Sequence, residues 1–509
     1  MVKSSTYQRA RRKKSENTFW RVSKYIEIMQ DENDAETSSF GTKDIGCCGG
    51  FSFLWNNITG PGMVSLIIIY HYAGYVYATL LIVLFGLMSG LAASFLCEAM
   101  ASIKGNDRFQ SRVEMMSIAR LSLPRYAYYC TLMIFIFNLL IQNISAIVES
   151  AQTTDATIVA IFGKSCGAEI YPNQTFTCVG GGNFINTTAV IIADSVFGDA
   201  WILSTGFILV ALLAIPLGYW NLDDIIGVQI GAGILLFGII IAWMYEFGSR
   251  GLQYEVQAFG SHPANEVGTT VFNYAYIVTV PSWINEKAPG ISINKSIWSA
   301  LLPAIVTFAL LGWIGALAIK TTSTTDLLAS LSTPETSTFA QIATYLFPWA
   351  ALVSGIPIYS IIIRYNLIEN NICTKAWAHF WSVIFPWISA FCLMSGNLLN
   401  TALNWGSILT TIPLNLMLPA FLYIVAKQRI KDRQNISMVE AAGDGTRTIN
   451  DTMYVHLDDR EDGNETEEKS DYKAIPCLSE KCTILLAWFI IIACGLGNIF
   501  VIAWQFIKT

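Results

Sequence analysis

Residues 56–66 read NNITGPGMVSL and lie inside the first long apolar run of the chain, where Gly60-Pro61-Gly62 interrupts what should be a continuous helix. Proline brings no N–H and glycine weakens a helix, so backbone groups across Thr59–Met63 lose their intrahelical partners. At membrane depth such backbone persists only where it lines a cavity or is buried in protein. The half-helix starting near Met63 then points its positive N-terminal dipole into that cavity, which suits an anion such as a carboxylate. A plain proline kink is the alternative, and the rest of the chain bears on the choice.

The chain has 509 residues, 53% of them hydrophobic and only 13% charged, with a mean hydropathy of +0.47. Apolar runs of about 20 residues, enough to cross roughly 30 Å of hydrocarbon, recur from end to end. This is the composition of an all-α polytopic membrane protein. The net charge of −6 is concentrated in tails and loops and carries no nucleic-acid footprint. No cleavable signal peptide is visible, so the first membrane helix serves as the targeting signal.

Eleven spans are expected, at about 50–72, 75–101, 126–161, 200–219, 223–246, 267–287, 296–320, 338–369, 376–395, 400–426 and 482–506. The third exceeds what a bilayer needs and is expected to tilt. Before the first span lies a polar tail, 1–49. Between spans 2 and 3, Phe109–Leu123 alternates apolar and polar residues as a short interfacial helix does. The segment 427–480 is acidic and poor in apolar material, which predicts a disordered loop. With the N-terminus in the cytosol, the loops after spans 2, 6, 8 and 10 hold the basic residues, among them Lys104, Arg112, Lys287, Arg364 and Lys427. That is the positive-inside pattern.

The opposite loops are nearly free of Lys and Arg, and 163–199 carries glycosylation sequons at Asn173 and Asn186. Cys166 and Cys178 flank the first sequon, a combination that reads as an extracytosolic loop closed by a disulfide; two free loop cysteines are the alternative.

The sixth span, FNYAYIVTVPSWINEK at 272–287, is also interrupted, at Thr279-Val280-Pro281. Breaks in the first and sixth spans occupy matching positions in two five-helix halves, about 50–246 and 267–426. That pattern marks an inverted-repeat transporter with its site near the midplane. In span 3, Asn138, Gln142, Ser145 and Glu149 share one helix face at three- and four-residue spacing. Glu149 stands towards the outer end, where solvation alone would account for it. Ser354 in span 8 and Asn56 beside the first break are candidate hard-oxygen ligands for a coupling Na⁺. His71 is the candidate for proton coupling, an interfacial histidine among Tyr70, Tyr72 and Tyr75 being the alternative.

The stretches NNITGPGMVSL, FNYAYIVTVPSWINEKAPGISINKSIW, SGIPIYSIIIRYNLIENNIC and FWSVIFPWISAFCLMSGNLLNTALNW together resemble the amino acid/auxin permease family of the amino acid–polyamine–cation superfamily. The resemblance covers roughly 51–427 and the eleventh span. It implies a LeuT-type 5+5 inverted repeat plus an eleventh helix, and a secondary transporter moving free amino acids with H⁺ or Na⁺. It further implies that Thr59, Gly60, Pro61, Gly62 and Met63 bind the substrate carboxylate. Phe272, Tyr276, Val278 and Thr279 would meet the amino group and side chain, with Asn138 and Gln142 nearby. Departures from the family pattern at Ile67, His71 and Tyr75 bear on substrate range and ion coupling.

No covalent chemistry is expected. The four histidines are scattered at His71, His262, His379 and His456, and the eleven cysteines form no CxxC, so neither an enzyme nor a metal site is read here and no cofactor is called for. The other class that fits is a non-transporting amino acid sensor on the same scaffold, signalling through cytosolic regulators of its tails. Plasma, vacuolar and lysosomal membranes fit equally.

Overall fold

In the computed structural model, the first apolar run is two half-helices, Cys47–Ile58 and Gly62–Ala73, bent by 45° at the glycine-proline break. The structure describes residues 40–106, 108–171, 174–180, 196–197, 201–260, 266–320, 327–333, 335–394, 406, 409–441 and 472–508. They fall into two units, Met1–Thr42 with Lys431–Lys469, and Lys43–Ile430 with Ser470–Thr509. Of the first unit, residues 40–42 and the helical 431–441 are described.

Eight helices among the described residues are long and apolar enough to cross a membrane. They are spans 2 (Tyr75–Ala101), 3 (Arg125–Phe162), 5 (Ile226–Arg250), 7 (Ile293–Ala318), 8 (Thr338–Glu369), 9 (Lys375–Leu393), 10 (Leu409–Asp432) and 11 (Glu480–Ala503). Span 1 is the bent pair and span 4 the shorter helix Thr205–Tyr219. Span 6 is interrupted as its sequence predicts: Glu266–Phe272, a 3₁₀ turn at Ile277–Thr279, then Val280–Glu286. The chain is a predominantly helical polytopic protein, with its two broken spans at the first and sixth positions.

Packing orders the spans. Span 8 is the most buried, with 78% of its apolar window inside the protein, while span 11 has 22% and stands at the periphery. Spans 2 and 7 approach closely because Gly86 and Gly90 carry no side chain. A Cβ on either would lie 2.6 Å from Ile305 or Leu301, the small-residue contact that lets membrane helices meet backbone to side chain. Leu212, Ile234, Ile241, Leu485 and Ile499 are exposed on the outer surface, where acyl chains replace water. Spans 8, 9 and 10 each contain one wide π turn, at Trp349–Val353, Phe380–Ile384 and Pro413–Met417. Such bulges loosen the backbone ladder locally.

The connections gather on two faces, as alternating spans require. On one, Ile45 pairs with Lys287 beside the end of span 6, taking a bond from its N–H to the Glu286 carbonyl at 3.0 Å. The loop helix Met115–Ser122, expected from Phe109–Leu123, lies on this same basic face. The acidic segment's last residues are docked there too, Ala474 N–H donating to Glu98 Oε2 at 2.7 Å. Upstream, the span 10 helix continues to Ala441, past the point where the loop 427–480 was expected to begin. Residues 442–471 lie outside the described residues.

On the other face, the loop expected to be closed by a disulfide contributes to a three-stranded antiparallel sheet, β1 (Lys164–Tyr171), β2 (Phe176–Gly180) and β3 (Trp201–Ser204), in the order β2-β1-β3. Cys166 stands opposite Cys178 across β1 and β2, and the two are disulfide-bonded. Asp155 Oδ1 accepts from Ser165 Oγ at 2.7 Å and from Gly206 N at 2.8 Å, fastening the sheet to spans 3 and 4. Asn173 and Asn186 lie outside the described residues.

Candidate functional site

The helix of span 1 ends where Thr59 N–H bonds the Trp55 carbonyl at 2.7 Å, and a new turn begins where Met63 N–H bonds Gly60 O at 3.2 Å. In span 6 the helix ends at Phe272, and bonds from Ala275 N to Phe272 O and from Thr279 N to Tyr276 O carry the chain through tight turns. The two breaks adjoin one cleft between spans 1, 3, 5, 6 and 8. It has two lobes that share Asn57, Gly60, Gln142, Phe272 and Tyr359.

Several expected residues meet here. Asn56, Gly60, Gln142, Phe272 and Ser354 line the first lobe. Gly60, Gly62, Gln142, Phe272, Tyr276 and Thr279 line the second. Others stand behind the wall. Thr59, Met63 and Val278 are fully buried, and the Thr59 hydroxyl turns back to the Trp55 carbonyl at 2.7 Å. Asn138 donates to Thr410 Oγ1 and accepts from Gln142 Nε2, both at 2.6 Å, so it orients the glutamine rather than lining the cleft. Pro61 supplies backbone to the turn Pro61–Ser65. His71 is elsewhere: its Nε2 is 3.0 Å from the Ile319 carbonyl, at the junction of span 1 with the end of span 7.

Sequence reasoning missed several residues of the lining, Asn57, Gln229, Asn273 and Tyr359 among them. Gln229 of span 5, fully buried, accepts at Oε1 from Asn56 Nδ2 at 2.9 Å and donates from Nε2 to the Ser354 carbonyl at 2.9 Å. The seam between spans 1 and 8 is therefore bridged by a neutral carboxamide. The signal was available, since Gln229 is a lone amide in an otherwise apolar span. Ser354 Oγ donates to Ala350 O at 2.6 Å, which leaves its oxygen lone pairs free to accept. Glu149, half-exposed, lines the first lobe and accepts from Ser145 Oγ at 2.5 Å.

Asn273, the residue after Phe272, is 4% exposed and lines the second lobe. Neither its Oδ1 nor its Nδ2 has a hydrogen-bond partner among the described residues. Buried carboxamides are almost always satisfied, which makes this one a candidate to bond a group in the cleft.

A second polar cluster closes the basic face. Glu114, at the start of the loop helix and 2% exposed, accepts from Ser282 Oγ and Asn285 Nδ2 of span 6, each at 2.8 Å, and from Asn366 Nδ2 of span 8 at 3.2 Å. Burial pushes its carboxyl up to about 7; the charges of Glu369 and Glu286 add to the rise, while the bonds from Ser282 and Asn285 oppose it. Arg112 pairs with Glu286 at 3.7 Å. Buried Arg364 donates to the carbonyls of Gly218 and Tyr219 at 3.0 and 2.9 Å, capping the orphan C-terminal carbonyls of span 4 with a cation.

No family model matches the chain, and no curated protein matches it. Among solved structures, it is similar to a manganese transporter of Eremococcus coleocola in complex with an aromatic bis-isothiourea substituted compound, at 12% identity and TM-score 0.49, over 92% of this chain and 98% of that one. It is also similar to the inward-facing conformation of Mhp1, at 12% identity and TM-score 0.48, over 76% of this chain and 78% of that one. At these identities and scores the likenesses say nothing of substrate.

Proposed function

We propose that the protein is a secondary active transporter that moves amino acids across a membrane by alternating access. The observation that carries this reading is the meeting of the two broken spans at a single cleft lined by polar groups of spans 1, 3, 5, 6 and 8. Backbone freed at Gly60–Gly62 and the carboxamide of Asn273 suit a carboxylate, while the carbonyls about Phe272–Thr279 suit an ammonium. The motif resemblance to the amino acid/auxin permeases is the reason for choosing amino acids over other zwitterions.

Alternating access requires the Glu114 cluster to part, because it ties the inner ends of spans 6 and 8 to the loop before span 3. Transport is coupled to H⁺ or Na⁺, and the Gln229 bridge favours H⁺. A Na⁺ at the seam between Asn56 and Ser354 would have to displace an amide donor that already occupies the Ser354 carbonyl. The driving ion is cargo, and no organic cofactor is called for. The basic face is assigned to the cytosol and the sheet-bearing face to the other side, with Asn173 and Asn186 glycosylated and the tails open to cytosolic regulators. The membrane is plasma, vacuolar or lysosomal.

Uptake of labelled amino acids into proteoliposomes tests the reading. Saturable accumulation supports it; binding without accumulation identifies a sensor on the same scaffold.

A further inference from the structure

The basic face gathers three cations at one loop. Lys43, on the chain leading into span 1, donates from Nζ to the carbonyls of Phe109 and Gln110, the latter at 2.7 Å. Asp44, next in the chain, is exposed. Lys287, at the end of span 6, holds its ammonium over the Phe109 ring, 6.0 Å from the centroid. Arg112, on the same loop as Phe109, reaches Glu286 at 3.7 Å. That carboxylate is shared, since its other oxygen accepts from the Asp223 N–H at 2.8 Å. Lys287 is only 7% exposed, yet among the described residues its ammonium pairs with no carboxylate and donates no hydrogen bond. The cations feel one another: burial first, then the charges of Arg112 and Lys287, push the pKa of Lys43 down.

A buried ammonium without a counter-ion is costly, and an aromatic face returns only part of that cost. An anion that enters beside it returns more. Lysine binds phosphate as a compact point charge, and a guanidinium adds a planar fork of donors. We propose that Lys43, Arg112 and Lys287 form a binding site for a phosphate-bearing anion at the basic-face ends of the two broken spans. The phosphate belongs to a phosphorylated lipid headgroup or is free in the aqueous phase; both present the same oxygens. Ile45 accepts from Ala288 N at 2.9 Å, so the chain before span 1 already meets the chain after span 6 here. The anion adds a link between those two segments and the loop of Phe109, and so stabilises this arrangement of the basic face.

The test uses the full-length protein in lipid nanodiscs and reads binding, so it is independent of the transport reading. One arm titrates inorganic phosphate into discs of phosphatidylcholine. The other compares those discs with discs that also hold phosphatidylinositol bisphosphate. The readout is acylation of individual lysines by an amine-reactive reagent, followed by mass spectrometry. Severalfold protection of Lys43 and Lys287, with the exposed Lys295 much less protected, supports the proposal. The arm in which protection occurs identifies the source of the phosphate. Equal protection of Lys295, or none at Lys43 and Lys287 in either arm, overturns it.

Lys287→Gln removes the buried charge and keeps a polar side chain. It is expected to weaken binding about tenfold or more, read as the amount of anion that half-protects Lys43, whereas Lys295→Gln leaves that amount unchanged. Equal losses from the two variants mean a diffuse attraction to the basic face and overturn the proposal. If Lys287→Gln does not assemble, the protection pattern of the wild-type protein decides the question.

Discussion

A Cβ placed on Gly62 would lie 1.3 Å from Asn273 Oδ1, so the side chain at the break of span 6 rests directly on the backbone at the break of span 1. The two breaks are complementary surfaces. Glycine is required at 62 because Asn273 fills the place of its side chain. Gly60 differs: its nearest neighbour would be the Asn56 carbonyl at 3.5 Å, an ordinary contact.

Gly62→Ala is therefore expected to assemble but to swing the Asn273 carboxamide out of place, lowering uptake efficiency by about tenfold to a hundredfold. Gly60→Ala should transport much as the wild type does, while Gly60→Leu fills the cleft and stops uptake. Comparing uptake at equal surface expression checks this. Equal effects of alanine at 60 and 62 would contradict the contact.

Gln229→Ala removes one of the two acceptors of Asn56 Nδ2, the Gln229 carbonyl at 2.7 Å being kept, and the side-chain donor to the Ser354 carbonyl, leaving buried polar atoms short of partners. A loss of roughly 1–3 kcal/mol in stability follows, read as a lower midpoint of thermal unfolding in detergent. Since the wild-type amide already occupies the seam, uptake should persist when external Na⁺ is replaced by choline. Abolition of uptake by that exchange would mean that Na⁺ displaces Gln229.

The cluster at the basic face carries a pH signature. With the Glu114 carboxyl held up near 7 when buried, and ordinarily near 4.5 in water, the closed arrangement binds the proton more tightly than an opened one. Closure is favoured fully below about pH 4.5 and loses that advantage as pH rises towards 7. Glu114→Gln keeps the donors' neighbour in shape but removes its titration. Accessibility of a cysteine introduced at Ser282, followed against pH, should rise across this window in an otherwise native background and respond less to pH when Glu114→Gln is added.

Topology is tested by sugar and sulfur. Enzymatic deglycosylation should shift the wild-type band and leave a double Asn173→Gln/Asn186→Gln variant unmoved; a glycan at Asn464, whose Asn-Glu-Thr sequon lies in the 427–480 segment, would place the faces the other way round. Reduction of the Cys166–Cys178 bond, which closes a separation of 12 residues, should lower thermal stability of the sheet face by up to about 3 kcal/mol.

The positions of the spans were legible because hydrocarbon imposes length and apolarity on every crossing, and both breaks were legible because glycine and proline carry their backbone consequences in the sequence. The sheet in 163–204 was not, since β1 and β2 have short, mixed strands whose pairing depends on the disulfide and on Asp155 of span 3. Within the cleft, residues adjoining the breaks were found from local sequence. Asn273 was missed because its importance comes from the break of span 1 arriving beside it, which no periodicity encodes, whereas Gln229 stood in the sequence as a lone amide in an apolar span.

The most direct test of the central claim is uptake of labelled amino acids by the purified protein in sealed proteoliposomes, with the H⁺ and Na⁺ gradients imposed separately. The account predicts saturable accumulation above the external concentration when the H⁺ gradient is inward, collapsing when that gradient is dissipated. Saturable binding with no accumulation under either gradient would contradict it.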